Sequence, residues 1–397
     1  MDFSYTPEQD AFRAELRAWL EAKKGEGWIG SGEPKSLDDA VEHGRRWQKE
    51  LYEGGWCGLH WPKEYGGRGV GLVEQIIFQE ELARAGSPQL INLLAISMVG
   101  PVIIDHGTEE QKRRYLKPIL TAEEIWCQGY SEPGAGSDLA SLSTSAVLDG
   151  DAYVVNGQKV WTSYAQYSSK CILLARTDPS VAKHKGITMF IVDMNSPGID
   201  VRPLKQMNGD SEFNEVYFED VRVPRENLIG AEGEGWKMAV ALLMYERATL
   251  TFQRQLQSRV ALSDLFEFAR TPGPDGRRPV DDTSVRRALA KHHIDAEALR
   301  LTSLRHLTDQ LRDGTPPGPE GSMEKLFWSE MYQRILQTAV ATTGPYGMLA
   351  PEDPRAPEGG RWTHLMLYSR GRTIAAGTSE VQRGIIAQRV LGLPKDR

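Results

Sequence analysis

The chain encodes a mainly α-helical protein with a central β-domain, and two observations predict it. Long segments with apolar residues at helical spacing fill 1–127 and 236–397, whereas 128–235 carries short β-branched and aromatic runs separated by turns. At 397 residues the chain exceeds the roughly 250–300 at which single cores stop growing. The expected organisation is an N-terminal helical domain (1–127), an antiparallel β-barrel (128–235) and a C-terminal four-helix bundle (236–397).

The first helix opens at Thr6-Pro7-Glu8, with threonine as N-cap and proline in the first turn, and Phe12, Leu16, Trp19 and Leu20 recur along it at helical spacing. Segments 73–85 and 109–120 continue the pattern, interrupted by WPKEYGGRGVG and Gly100-Pro101. AVLDGDAYVV, NGQKVWTS, KCILLARTD, GITMFIVDM, GIDVRPL and NEVYFEDVRVP then read as strands, with Asp149-Gly150 and Asn156-Gly157 as hairpin turns. Helices return at 236–270, 283–312, 323–342 and from about residue 379. They break at TPGPDGRRP and DGTPPGPEG, where proline and glycine cannot extend a helix.

Lys+Arg total 47 against Asp+Glu 54, a formal net charge of -7 without blocks of like charge, so nucleic acid is not an expected partner. The N-terminus lacks the basic start and apolar core of a signal peptide, and no apolar run approaches a membrane span, so a cytoplasmic protein without membrane insertion is expected. Cys57, Cys127 and Cys171 are far apart in sequence and lack metal-ligand spacing. Buried free thiols in a reducing compartment, and no metal site, are expected.

Two stretches carry chemistry. GYSEPGAGSDLASLSTSA (129–146) combines glycines with small hydroxyl residues, a composition that lets backbone approach a ligand and N–H groups form an anion nest. NGQKVWTS puts Trp161, Thr162 and Ser163 on a strand, where a tryptophan is ordinarily core. With WPKEYGG, NEVYFEDVRVPRENLIG and GTSEVQRGIIAQRVLGLP in the same order, these segments resemble the acyl-CoA dehydrogenase family over nearly the whole chain.

The resemblance implies FAD held between the β-domain and the C-terminal bundle, and an assembly of dimers or tetramers. It implies that Tyr130 and Ser131 hydrogen-bond the flavin, Trp161 flanks its ring, and Ser163 makes a polar contact near its reactive nitrogen. Thr378 and Glu380 match the turn and helix start that hold the pyrophosphate region, and Ser137 and Gly377 match positions beside the acyl-CoA. The implied reaction is α,β-desaturation of an acyl-CoA thioester, with electrons passing to an electron-transferring flavoprotein. Such a site needs a carboxylate made basic by desolvation and a preorganised donor at the thioester oxygen.

Many members of the family carry a glutamate at the position of Ala376, and this chain does not. Others supply the base from the first long bundle helix, just before an arginine. Here that helix reads ALLMYERATLTF, which makes Glu246 the candidate base. Residues three and four away are Leu242, Leu243, Thr249 and Leu250, an apolar surround that raises a carboxyl pKa. Arg247 fits either a structural ion pair or orientation of the site. At Ala376 the family role of the backbone N–H, donation to the thioester oxygen, needs no side chain, and Ala375 and Ala376 leave room for a branched or bulky acyl group. The adjacent His292 and His293 point to different helix faces and are assigned no chemistry.

Two segments depart from the family pattern. An Arg-x-x-Phe-Gly segment is replaced by FARTPGPDGRRPVDD, where Arg270 stands in for the arginine but the Phe-Gly pair is missing. A Gln-x-x-Gly-Gly-x-Gly segment is replaced by AVATTGPYGM, with Ala341 for glutamine and Pro345 for the second glycine. Both normally reach a neighbour's FAD. Either other residues rebuild these contacts in a homo-oligomer, or a related subunit completes the site in a heteromer. Two rival functions stay open: an oxygen-using oxidase or monooxygenase of the same fold, and a non-catalytic partner subunit.

Overall fold

The computed structural model describes all residues except 1–4, 31–33, 35, 274–275, 314–317 and 395–397; for 243–252 and 313 it describes backbone but not side chains. Two compact units, Met1–Glu246 and Arg247–Arg397, divide the chain within one long helix.

The first unit begins with five helices: α1 (Pro7–Gly25), α2 (Leu37–Glu53), α3 (Leu72–Ala85), α4 (Gly100–His106) and α5 (Glu109–Thr121). Helix α1 starts at the expected cap: the Thr6 hydroxyl accepts from Gln9 N–H at 3.3 Å while the Gln9 side chain accepts from Thr6 N–H at 3.0 Å. Thr108 and Gln111 repeat this box at α5. Gly100 is required by packing, because a Cβ there would lie 1.9 Å from the Trp61 ring.

Eight strands follow: β1 (Trp126–Gly129), β2 (Ser145–Asp149), β3 (Ala152–Ser163), β4 (Lys170–Arg176), β5 (Ile187–Asp193), β6 (Ile199–Leu204), β7 (Phe213–Pro224) and β8 (Leu228–Ile229). Their order is β6-β7-β3-β2-β4-β5-β8, with β1 added parallel to β4. The sheet is mostly antiparallel and is not closed, since β6 and β8 end the path, so the expected barrel is a barrel only loosely. Ile172, Leu174, Met189 and Ile191 pack toward the N-terminal helices, whereas Cys171, Leu173, Phe190 and Val192 pack in a second cluster. Burial on both faces explains why β4 and β5 read as continuous apolar runs.

Asp149-Gly150 makes the β2–β3 hairpin as expected. Asn156-Gly157 does not turn the chain: it sits inside β3, at a register shift between Val155 and Gly157. Glycine is needed there for close approach, since a Cβ would lie 2.6 Å from the Thr144 hydroxyl, while the Asn156 side chain is bound to Asp220 instead of to a turn. Cys127 and Cys171, remote in sequence, are register partners on β1 and β4; both are buried and free.

Helix α6 (Gly235–Arg270) runs into the second unit, followed by α7 (Thr283–Asp313), α8 (Gly321–Thr342), α9 (Arg361–Ser369) and α10 (Ser379–Ile385), which continues as a π turn through Val390. Leu262 and Leu265 of α6, Leu289 and Leu299 of α7, Met331, Ile335 and Leu336 of α8, and Trp362 of α9 form the bundle core. Helix α9 was not expected from the sequence, and α2 and α4 of the first unit were not delimited there, Gly100-Pro101 opening α4 where a break was expected.

Candidate functional site

In the first unit, the glycine-rich loop and the end of β3 are fastened together. Val160 N–H donates to the Ser131 carbonyl at 2.9 Å, which brings Tyr130 and Ser131 beside Trp161 and Ser163. Below them lies an ion pair that the sequence reading missed. Lys159, fully buried, donates from Nζ to Glu132 Oε1 at 2.8 Å and to the Tyr130 carbonyl at 3.1 Å. Glu132 also accepts from Ser143 N–H at 2.7 Å, the Ser143 hydroxyl at 2.8 Å and Thr144 N–H at 2.9 Å. Burial by itself would raise the Glu132 carboxyl, but the Lys159 charge and the bonds from Thr144 and Ser143 outweigh it and hold the pKa at about 2.

Trp161 is not core. It is 61% exposed, at a second register shift of β3 between Lys159 and Thr162, with φ of 62°. A bulky residue in left-handed backbone costs about 1–2 kcal/mol and persists only where its surroundings impose it. Here Asn214, fully buried, donates to the Thr162 carbonyl at 3.0 Å, and the Phe213 ring meets the indole edge-on at 6.3 Å. The Thr162 hydroxyl is buried and has no hydrogen-bond partner among the described residues. An indole held outward beside an unsatisfied buried hydroxyl fits the flat, polar-edged flavin ring that the resemblance implies. Ser137 is exposed on the same loop, next to Asp138, which Lys183 Nζ bonds at 2.8 and 2.7 Å.

In the second unit, Ala376, Gly377, Thr378 and Glu380 share one turn. Ala376 has φ of 55° and Gly377 of 94°. The Thr378 hydroxyl caps α10 by accepting from Val381 N–H at 3.2 Å. Lys325 donates to the Gly377 carbonyl at 2.6 Å, and Gln382 to the Ala376 carbonyl at 3.0 Å. The Ser379 hydroxyl is buried without a partner among the described residues. The turn thus offers N–H groups and a spare hydroxyl, which suits phosphate or a developing oxyanion.

Glu246 and Arg247 lie on α6, and their side chains are outside the described residues; of the expected apolar neighbours, Leu242 is described and buried. Arg270 ends α6, exposed, and pairs with Glu267 at 2.7 Å. The anchoring residues Lys159, Glu132, Asn214, Lys325 and Gln382 were not singled out in the sequence. One signal was available: Glu132 and Lys159 lie inside the two motifs that carry the family resemblance.

Models of the acyl-CoA dehydrogenase N-terminal, middle and C-terminal domains match residues 6–123, 127–221 and 233–391. Acyl-CoA dehydrogenase IpdE1 of Mycobacterium tuberculosis is 39% identical over 390 residues, covering 98% of this chain and 98% of its own. Acyl-CoA dehydrogenase FadE26 of the same organism is 36% identical over 413 residues, covering 100% of this chain and 99% of its own. Among solved structures, the Tcur3481-Tcur3483 steroid ACAD matches with a TM-score of 0.85 at 33% identity, covering 100% of both chains. The ChsE4-ChsE5 complex from Mycobacterium tuberculosis matches with a TM-score of 0.83 at 36% identity, again covering 100% of both. Matched by all three domain models in chain order and by relatives over their whole length, this chain belongs to the acyl-CoA dehydrogenase family of FAD-dependent oxidoreductases.

Proposed function

We propose that this protein desaturates an acyl-CoA thioester between Cα and Cβ, with Glu246 as base and Ala376 N–H as donor to the thioester oxygen. The observation that carries the reading is the Ala376–Gly377–Thr378 turn: its Ala376 N–H has no acceptor among the described residues, while the acid is missing from position 376. A thioester α-proton is too weakly acidic to leave unaided. Glu246, four residues along α6 from the buried Leu242, is the base proposed to take it. Ala376 N–H stabilises the enolate-like oxygen that forms. Bound FAD would supply the hydride acceptor for the β-hydrogen. Tyr130, Ser131, Trp161 and Ser163 would hold its ring, and Thr378 and Glu380 its pyrophosphate region; Ser137, Gly377 and Arg247 would face the substrate.

The domains assigned to these roles are 1–127, 128–235 and 236–397. The methyl groups of Ala375 and Ala376 leave room for a branched or bulky acyl group, and a steroid enzyme among the structural relatives supports that class. An electron-transferring flavoprotein is the proposed acceptor, and three buried free thiols suit the cytoplasm. A second reading concerns assembly: the altered segments around Arg270, Ala341 and Pro345, with structural relatives named as pairs of proteins, favour a related subunit completing the FAD site.

Anaerobic flavin bleaching against straight, branched and polycyclic acyl-CoAs tests the activity and ranks the substrates. Glu246→Gln is expected to keep FAD and lose bleaching by about 10²–10⁴-fold. Normal turnover by that variant would refute the assignment.

A further inference from the structure

The turn that carries Ala376 is gripped on its carbonyl side. Lys325, 3% exposed, reaches from α8 to the Gly377 carbonyl at 2.6 Å. Gln382, fully buried, donates its amide to the Ala376 carbonyl at 3.0 Å and to the Gly377 carbonyl at 3.4 Å. Upstream, Ala375 N–H is spent on the Gly371 carbonyl at 2.8 Å. In a trans peptide the C=O and N–H point in opposite directions, so pinning these carbonyls turns the N–H groups of Gly377 and Thr378 away from α8. Ala376 is the joint between the two fixed ends, in left-handed backbone at φ of 55°, and its N–H has no acceptor among the described residues.

The grip comes from two helices, Lys325 on α8 and Gln382 on α10. Lys325 and Gln333 are eight residues apart, about two helical turns, and Gln333 donates to the Ser369 carbonyl at 2.9 Å and the Thr373 hydroxyl at 3.2 Å. The neighbouring acid Glu324 turns to α7, where it accepts from the Ser303 hydroxyl at 2.8 Å and pairs with His306. Gln382 fixes the peptide after Ala376, and Lys325 fixes the one after Gly377 from a buried place, where bulk water does not compete for that carbonyl.

We propose that Lys325 is a positioning residue for the thioester oxygen: it locks the carbonyl face of the 376–378 turn, so that the turn's N–H donors stay aimed at an enolate-like oxygen. This rests on the reading of Ala376 N–H as the oxyanion donor. Lys325 itself touches neither substrate nor flavin. Its effect belongs to the transition state more than to substrate binding, because the negative charge that the turn's donors stabilise develops only as the α-proton leaves.

The test uses the FAD-loaded enzyme and its Lys325→Met and Lys325→Arg variants. A 3-thiaacyl-CoA, whose α-proton is more acidic than a substrate's, is bound, and the pH at which it ionises is read from the long-wavelength absorbance of the flavin. Lys325→Met is expected to raise that midpoint by about one pH unit and lower kcat about tenfold, with KM changed little and Lys325→Arg recovering most of both. An unchanged midpoint and kcat in Lys325→Met would overturn the proposal. So would loss of FAD with an unshifted midpoint in the remaining loaded fraction, since that is a purely structural role. If Lys325→Met does not fold, Lys325→Gln, whose shorter side chain does not reach the Gly377 carbonyl as lysine does, is read by the same two outcomes. A wild-type protein bleached by no acyl-CoA would overturn the functional reading as well, and differs from a wild type that bleaches normally beside an indifferent Lys325→Met.

Discussion

Lys159 would be read from NGQKVWTS as a solvent-facing lysine on an alternating strand, yet it is fully buried against Glu132. Removing one partner of such a pair strands the other charge, which costs about 3–5 kcal/mol. Glu132→Gln is therefore expected to lower unfolding stability by that order near neutral pH, measured by urea titration followed through tryptophan emission. The sign with pH follows from the depressed Glu132 carboxyl. Its contribution is complete above the ordinary carboxylate value of 4.5 and is lost as pH falls through about 2. The stability gap between wild type and Glu132→Gln should thus narrow between these values; a gap constant across that window would contradict the pairing. Such anchors stay hidden in the sequence because charge and exposure are usually linked, and only tertiary contact between residues 27 apart breaks that link here. Trp161 was singled out through family resemblance, but its exposure and strained φ were not legible, since both arise from a register shift on a strand that otherwise alternates normally.

Strand β3 shows where element-level rules hold and where they fail. Most of the long helices were legible to within a few residues because apolar period and caps agree, as at Thr6, whereas the 17-residue α2 was not delimited. Asn156-Gly157 carries the strongest short-range hairpin signal, but the same pair also serves a bulge that needs close backbone approach. The four-residue β1 escaped notice because it is short and pairs in parallel with a strand more than 40 residues away. Gly157 has φ of 150°, and any Cβ would meet both the hydroxyl and Cα of Thr144. Gly157→Val is expected to destabilise the β-domain by about 1–3 kcal/mol and lower Tm by several degrees in calorimetry. If Tm is unchanged, the bulge is not under the steric control assigned to it.

At the scale of the whole molecule, the family and its three blocks were legible because several motifs recur in order, whereas assembly depends on surfaces that no motif reports. Segment 344–348 forms a 3₁₀ turn with Pro345 at its start, so the backbone N–H that a glycine would offer is missing there. Ile294 and Leu301, seven residues apart on α7, are 66% and 45% exposed, and Met348 is 90% exposed. Apolar side chains left outside at helical spacing would suit the face against another chain that a heteromer requires. If a related subunit supplies the missing FAD-binding groups, this chain expressed alone should bind less than one FAD per chain, because a cofactor held by fewer groups dissociates more readily. Co-expression with a related acyl-CoA dehydrogenase chain should then restore stoichiometric flavin and a larger species in size-exclusion chromatography, together with a Tm raised by linkage to bound cofactor. A stable homomer holding one FAD per chain would refute the heteromer and leave the segments around Arg270 and Ala341 as a rebuilt, self-sufficient FAD-binding edge. Flavin content discriminates better than activity here, because a half-filled assembly can still turn over at its intact sites.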